Sequence, residues 1–442
     1  MSKQHISLAV ATAVGLGAII GAGIFVLSGT AIALAGSLSL AVFVVVGVIS
    51  ILIAFHIAEL ASLMPRLKGA SYSYAYEAFG SELGFITGII FYFGYATAIS
   101  VVALGFGSYA SSLIGLSSIY SRAIGIILIL VLALLNTYGI NRAARVDSVL
   151  VYIKISILII FSIFAIYISL TKGFFHLSNF SITASNLSIV SLFSAAVAVF
   201  FAYTGFQVIA TFISNIEGGP RIGAKAIILS VTISTIIYCL VALSLIMIVP
   251  ANRFSISVDP LSFALHYVNA PQYILILIDI GALIATASTT LALIISSSRV
   301  LYQISADHLL PKIFRRYDKN KDVPINAVIV SAIIGIIMLL SGNIFVISAI
   351  SDFGFLFSYI TSVFAVVHFR RVRRELYSNE MFKVPFYPYS SIVTAIAILA
   401  FMLGMPREAL DIGVILIIVL LLTYYTLKEM ERKKVIRVRL FK

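Results

Sequence analysis

The sequence predicts an all-α polytopic membrane protein of twelve transmembrane helices, ten of them in two inverted five-helix repeats followed by two additional C-terminal helices. Three observations predict it. Of the 442 residues 61% are hydrophobic and only 11% charged, with a mean hydropathy of +1.12, whereas a soluble protein carries about twice that charged fraction. The apolar residues fall in runs of about the length that crosses a ~30 Å hydrocarbon core at about 1.5 Å per helical residue. Two of these runs, five apart and therefore opposite in direction, are each interrupted midway by a glycine-containing stretch, the pattern of inverted repeats.

In chain order the runs lie at about 7–35, 38–64, 80–115, 121–139, 146–170, 189–216, 223–250, 273–304, 325–341, 344–369, 386–404 and 409–427. The first contains Gly15-Leu16-Gly17-Ala18-Ile19-Ile20-Gly21-Ala22-Gly23-Ile24-Phe25, four glycines in nine residues. Glycine is costly in a helix and readily leaves it. Two readings are open: close packing of a neighbouring helix, or a break at mid-depth whose backbone lines a cavity. The sixth run carries the counterpart, Phe200-Phe201-Ala202-Tyr203-Thr204-Gly205-Phe206, where a second break is expected. A lone Thr-Gly also suits ordinary packing, but its position matches the repeat. The eleventh and twelfth runs fall outside the repeat pair. The expected division is a transport core over 1–370, the two added helices over 371–427 and a basic tail over 428–442.

Charge orients the chain. The N-terminus, the even-numbered connections and the tail hold 25 of the 30 Lys and Arg residues; the odd-numbered connections hold four, Arg122, Lys172, Arg253 and Arg407. The positive-inside rule then places both termini in the cytoplasm. The net charge of +13 thus reports topology and contact with anionic lipid, not nucleic acid. The single cysteine, Cys239, excludes a disulfide framework. No cleavable signal peptide is expected, because the first run is too long and lacks a small-residue cleavage site. His176, His266 and His308 are scattered without ligand spacing, so no metal and no cofactor are expected. The Gly15/Gly17/Gly21 spacing follows no strand and opens no βαβ unit, which rules out a dinucleotide loop. No nucleophile–base pair can be assembled, so an enzyme is not expected.

The remaining basic residue, Lys154, lies about eight residues into the fifth run, roughly 12 Å at the helical rise. A charge at the bilayer centre costs ~2.5–3.5 kcal/mol on insertion scales and usually faces the protein interior with a function. Desolvation disfavours the cation, so such a lysine can exchange a proton; the alternative is an ammonium that stays charged and serves structure. Glu59 and His56 sit near the cytoplasmic end of the second run, where a gating or structural role is expected. Asp279 and Asp352 lie in the outer parts of the eighth and tenth. Either can line a vestibule that attracts a cationic substrate, or be a solvated helix-end residue.

Several stretches resemble the amino acid–polyamine–organocation (APC) transporters. Gly17 to Phe25 resembles their helix 1 motif. Ala58-Glu59-Leu60-Ala61-Ser62-Leu63-Met64-Pro65 with Gly69-Ala70-Ser71-Tyr72-Ser73-Tyr74 resembles the helix 2–3 junction. Phe200–Phe206 and Glu217-Gly218-Gly219-Pro220-Arg221 resemble helix 6 and its following loop, and Ser298-Arg299-Val300-Leu301-Tyr302 to Leu309-Leu310-Pro311 the end of helix 8. The motifs keep family order over roughly residues 7 to 370, although Lys68 stands where the family commonly has glycine.

The resemblance implies a LeuT-type fold, alternating access, and an amino acid held between helices 1 and 6. A half-helix N-terminus offers N–H groups and partial positive charge to an anion. The substrate carboxylate is therefore expected on the N–H groups of Gly21, Ala22 and Gly23. The ammonium is expected at carbonyls near Ile19 and Ile20 and near Phe200, Phe201 and Ala202. Phe201 and Tyr203 are candidates for the side-chain pocket, or else core aromatics. Some family members carry a lysine at the matching place in helix 5, in the position sodium holds in sodium-coupled relatives. Carried over, Lys154 faces the carbonyls of Gly17 and Ile20 and a hydroxyl of helix 8, Ser288 or Thr289.

The sequence therefore points to an amino acid transporter of the plasma membrane, a proton symporter of neutral, mainly apolar substrates, since no acid falls in either break. Its expected partners are the amino acid, protons and the lipid bilayer, without nucleic acid or an obligate protein partner. Alternatives are an exchanger, a cationic amino acid or polyamine carrier using Asp279 or Asp352, and a non-transporting amino acid sensor. The sensor's mark would be a large soluble domain, for which the tail is too short.

Overall fold

The structure is a computed structural model that describes residues 6–21, 23–67, 69–138, 143–173, 188–255, 259–318, 321, 323–378 and 380–432. Every named element in it is helical. Among the described residues nine helical stretches are long and apolar enough to cross a membrane, and Ile325–Leu340 and Tyr389–Leu403 are shorter apolar helices. Ala22, Lys68, His176 and the tail beyond Arg432 lie outside the described residues.

The first predicted span is two helices, not one. α1 (Leu8–Ile19) starts at Ser7, whose hydroxyl accepts the Val10 N–H at 3.4 Å. It stops at Ile20, and a five-residue π-helical turn over Gly23–Leu27 leads into α2 (Ser28–Ala35). π-Turns are rare and collect at functional sites. α3 (Ser39–Leu63) is the second span. The third, α5 (Ser81–Leu113), is preceded by a separate short helix, α4 (Ser71–Phe79), where the sequence suggested only a junction. Tyr72, Tyr74 and Ala75 of α4 are buried, so packing stabilises a helix too short to be stable alone. α6 (Ser121–Thr137) and α7 (Ala143–Thr171) complete the first repeat.

The second repeat opens with α8 (Ile189–Tyr203), capped by a reciprocal pair of side-chain to backbone bonds between Ser188 and Ser191. After Thr204 and Gly205 the span continues as a 3₁₀ helix over Phe206–Asn215, kinked at Phe212. α9 (Pro220–Ile248) follows, then the short α10 (Pro260–Tyr267), and α11 (Gln272–Ala306), α12 (Ile325–Leu340) and α13 (Ile344–Val372). α14 (Tyr389–Leu403) and α15 (Arg407–Arg432) come last; α15 carries the helix five residues into the stretch assigned to the tail.

The packing follows the repeat. The first span lies on the sixth, α3 on α9, α5 on α11 and α6 on α12, so four elements each meet the equivalent element of the other half. α5 and α13 are the most deeply buried long helices, which makes them the floor on which the broken spans rest.

At the end of α3, Glu59 is fully buried. It accepts from Arg370 Nε at 2.8 Å and Tyr377 Oη at 2.8 Å, from the second Arg370 nitrogen and from the Val384 N–H. Arg370 also lies over the Tyr387 ring, 4.3 Å from its centre. Burial first, then the Glu59 charge, push the Tyr377 phenol up, which keeps it a donor. One carboxylate therefore ties α3 to α13 and to the segment entering α14. His56, one turn earlier, adds a second tie: Nδ1 bonds Leu52 O at 2.7 Å and so carries the proton, leaving Nε2 to accept from Ser391 at 2.9 Å. Removing one partner of a buried, multiply bonded ion pair costs about 3–5 kcal/mol. Glu59→Ala is accordingly expected to lower the melting temperature of detergent-solubilised protein sharply, whereas Glu59→Gln, which keeps part of the network, loses less. Equal melting temperatures for the two variants would contradict this account.

Candidate functional site

The two breaks meet. A side chain on Gly23 would collide with the Ala202 backbone, with its Cβ 2.7 Å from Ala202 N. Gly205 lies against the carbonyl of Ala18 and has φ = 112°, a conformation that L side chains rarely adopt. The glycines of the first break thus serve close approach, as the packing reading has it, and this approach is what places the ends of four half-helices together. The helix does break there: α1 stops at Ile20.

Each end presents what its polarity dictates. α1 and α8 run into the breaks with their C-termini, leaving carbonyls without intrahelical donors; the Gly23–Leu27 turn leaves the break with unpartnered-type first-turn N–H groups. Within the first break the Gly21 N–H turns back to Ile19 O at 2.8 Å. In the second, the Thr204 hydroxyl and N–H both point to Phe201 O, at 2.8 and 3.3 Å. Tyr238 of α9 spans the two: its hydroxyl is 2.8 Å from Ile19 O and 3.0 Å from Ala202 O. Tyr109 of α5 donates to Phe25 O at 2.6 Å and steadies the π-turn.

The predicted residues divide. Ile19, Ile20, Gly21, Gly23, Phe200, Phe201, Ala202 and Tyr203 are all buried around this meeting point. Ala22 lies outside the described residues. Phe200 is packed edge-on to Tyr359 at 6.1 Å and faces Phe401 at 5.9 Å. Tyr203 is a core aromatic, its hydroxyl donating to Phe43 O at 3.3 Å and its ring set against Tyr238 at 5.1 Å. Lys154 is fully buried and its Nζ donates to Gly17 O at 3.1 Å. Of the two helix 8 hydroxyls, Ser288 is half-buried and donates to Ala285 O of its own helix at 3.1 Å. Thr289 is the one that faces the break: it packs on Gly21, and its buried Oγ1 has no hydrogen-bond partner among the described residues.

Asp279 and Asp352 are 3% and 0% exposed, which overturns the reading of either as a solvated helix-end residue. Asp279 Oδ1 and both oxygens of Asp352 lack a hydrogen-bond partner among the described residues. Burial by neighbouring helices is an effect that hydropathy along the chain does not register. Sequence reasoning also missed Tyr238 and Gln207. Gln207 accepts from Ser71 Oγ at 2.9 Å, and Ser362 donates to Ser71 at 3.0 Å, joining the sixth span to α4 and α13. Neither stands at a spacing that marks it in the sequence.

Comparison with known proteins agrees with this architecture. A family model described as amino acid permease matches residues 6–424. The chain is 28% identical over 418 residues to the methylthioribose transporter of Bacillus subtilis (strain 168), covering 89% of this chain and 87% of that protein. It is 26% identical over 418 residues to the branched-chain amino acid permease BcaP of the same organism, covering 88% and 84%. Among solved structures, a nucleobase-cation-symport-1 family transporter in a closed conformation with bromovinylhydantoin bound superposes with a TM-score of 0.59 at 16% identity, covering 100% of this chain and 95% of that one. The fold is the LeuT-type fold.

A side chain at residue 205 meets both an unfavourable φ and the Ala18 carbonyl. Strain of this kind costs about 1–3 kcal/mol, and each ~1.4 kcal/mol is tenfold in a rate or an affinity. Gly205→Ala is expected to reduce uptake by about tenfold or more while the protein still inserts; normal uptake by a correctly inserted variant would show that the breaks need not touch.

Proposed function

This chain belongs to the amino acid permease family, and we propose that it is a secondary active transporter that carries neutral, mainly apolar amino acids across the plasma membrane by alternating access, in symport with protons. The observation that carries this reading is the contact of the two breaks, Gly23 against Ala202, with a buried lysine bonded to the carbonyl of Gly17 beside it. An α-amino acid matches what the breaks offer. Its carboxylate suits first-turn N–H groups at Gly23, with Gly21 and Ala22 adjoining. Its ammonium suits the carbonyls of Ile19 and Ile20 and those of Phe200, Phe201 and Ala202. The breaks contain no acid to pair with a cationic side chain, and Phe201 and most residues of both stretches are apolar, which supports an apolar side chain. Of the two relatives, one is named for a thio-sugar and one for branched-chain amino acids. Only the second kind of ligand has the carboxylate–ammonium pair that two helix ends of opposite polarity recognise.

In this reading Lys154 supplies the coupling. As an ammonium it donates to Gly17 O, near the end of α1; Thr289 Oγ1, which lies against Gly21 and has no hydrogen-bond partner among the described residues, is the candidate for a further acceptor. Loss of the proton turns a cation that attracts the carbonyls of α1 into a neutral amine, so protonation and the geometry of the first break are linked. Both termini are cytoplasmic in this reading, twelve helices cross the bilayer, and the C-terminal basic residues lie on the anionic leaflet.

One observation favours a second reading. Asp352 is fully buried with both oxygens unpartnered among the described residues, and it lies in the same helix as Tyr359, whose ring stacks on Phe206 at 5.4 Å just past the second break. A cationic or hydroxyl-rich substrate would satisfy such a carboxyl group.

Purified protein in liposomes, offered a panel of labelled amino acids under imposed gradients, tests both. Accumulation of apolar amino acids driven by an inward proton gradient is expected; accumulation driven by sodium alone would overturn the coupling. Lys154→Ala is expected to abolish gradient-driven accumulation and flatten the pH profile, and uptake with an unchanged pH optimum would remove the lysine from the proton path. Asp352→Asn separates the readings: uptake of a cationic substrate that disappears with it would favour the second.

A further inference from the structure

Tyr238 belongs to neither broken span, yet among the described residues it is the side chain whose hydroxyl reaches a carbonyl of both, Ile19 O at 2.8 Å and Ala202 O at 3.0 Å. Its ring is fully buried and edge-on to Tyr203, 5.1 Å between centres at 70°, so the hydroxyl is held in place from behind. Ile19 is the last residue of α1, and Ala202 lies in the last turn of α8. Both acceptors therefore sit at helix C-termini, where carbonyls lack the regular helical donor and carry partial negative charge, although Ile19 O also receives the Gly21 N–H at 2.8 Å. Two such ends brought together repel unless a donor lies between them. A phenol has a single proton and serves two acceptors only by sharing it.

A substrate ammonium has three donors and a full positive charge, and charge-assisted bonds are roughly twice as strong as neutral ones. On the reading proposed above, on which this inference rests, those same two carbonyls are among the groups that receive the ammonium. We infer that the Tyr238 hydroxyl is a stand-in for the substrate ammonium: it holds the ends of α1 and α8 together when the site is empty and gives up its share of the carbonyls when an amino acid is bound. Tyr238 is a positioning residue that acts on the carrier's empty leg. A symporter must return empty after each delivery, so net uptake needs a way to bring the breaks together without substrate. An exchange cycle is loaded in both directions and does not.

The test is the Tyr238→Phe variant in liposomes, which keeps the ring and its contact with Tyr203. Two fluxes of the same amino acid are measured: net uptake into empty liposomes, and counterflow into liposomes preloaded with it. The ratio of counterflow to net uptake is expected to rise about fivefold or more over the wild type, the scale of losing one neutral hydrogen bond from the empty state. Replacement of Tyr238 by 4-aminophenylalanine, which restores a donor at the same reach, is expected to return the ratio towards the wild-type value. An unchanged ratio overturns the inference. So does an equal loss of both fluxes, including a loss that size-exclusion chromatography traces to misfolding, because the hydroxyl would then serve the fold in every state. Absence of either flux in the wild type for every amino acid offered would instead overturn the transport reading beneath it.

Discussion

Backbone groups that are unpaired in an apolar medium must be satisfied by protein, and this constraint organises the molecule. Two spans stop midway, and each releases carbonyls and N–H groups where lipid has nothing to offer them. They are satisfied because the breaks face one another and because three side chains from other helices reach in: Tyr238 to Ile19 O and Ala202 O, Tyr109 to Phe25 O, and Lys154 to Gly17 O. The glycines are what make this meeting possible. Gly23 lets the first break rest on the Ala202 backbone, and Gly205, with its positive φ, lets the second turn under the Ala18 carbonyl. Close packing and a broken helix, which look like competing explanations for a glycine-rich run, are here one arrangement.

The rest of the fold holds that meeting point from outside. The spans pack in pairs across the repeat, α3 with α9, α5 with α11 and α6 with α12, so the halves brace each other around the broken pair. At the far end of α3, Glu59 gathers Arg370, Tyr377 and the Val384 N–H into one buried junction. The junction fixes α13 and the segment entering α14 to α3 at one edge, while the centre of the molecule is held mainly by hydrogen bonds to backbone carbonyls and by contacts between small residues.

Among the described residues Lys154, Asp279 and Asp352 are also buried among the spans. Lys154 lies against the first break through Gly17. Asp352 lies in α13, whose Tyr359 ring stacks on the sixth span at Phe206. Buried charge is expensive and is usually kept for function. Lys154 lies at the first break and Glu59 at the far end of α3, within a chain that is only 11% charged.

What the sequence by itself determined was the set of features that repeat or that violate a local rule. Apolar run length marked the helices, because a bilayer thickness is a length. Glycines inside two apolar runs marked the breaks, because each disobeys the preference of a membrane helix. Lys154 stood out for the same reason. Other features left no such trace. The short helix α4 is stabilised by burial of Tyr72 and Tyr74, which only packing supplies. The burial of Asp279 and Asp352 follows from which helices surround them, and the choice of Thr289 over Ser288 depends on a rotation of α11 about its axis. Tyr238 looks like any tyrosine in an apolar helix until two half-helices, more than 180 residues apart in sequence, bring their last carbonyls to within 3.0 Å of its hydroxyl. A break is a local property of the chain and can be read from it. The partner that satisfies a break is a property of three-dimensional neighbourhood, and only the tertiary structure decides it.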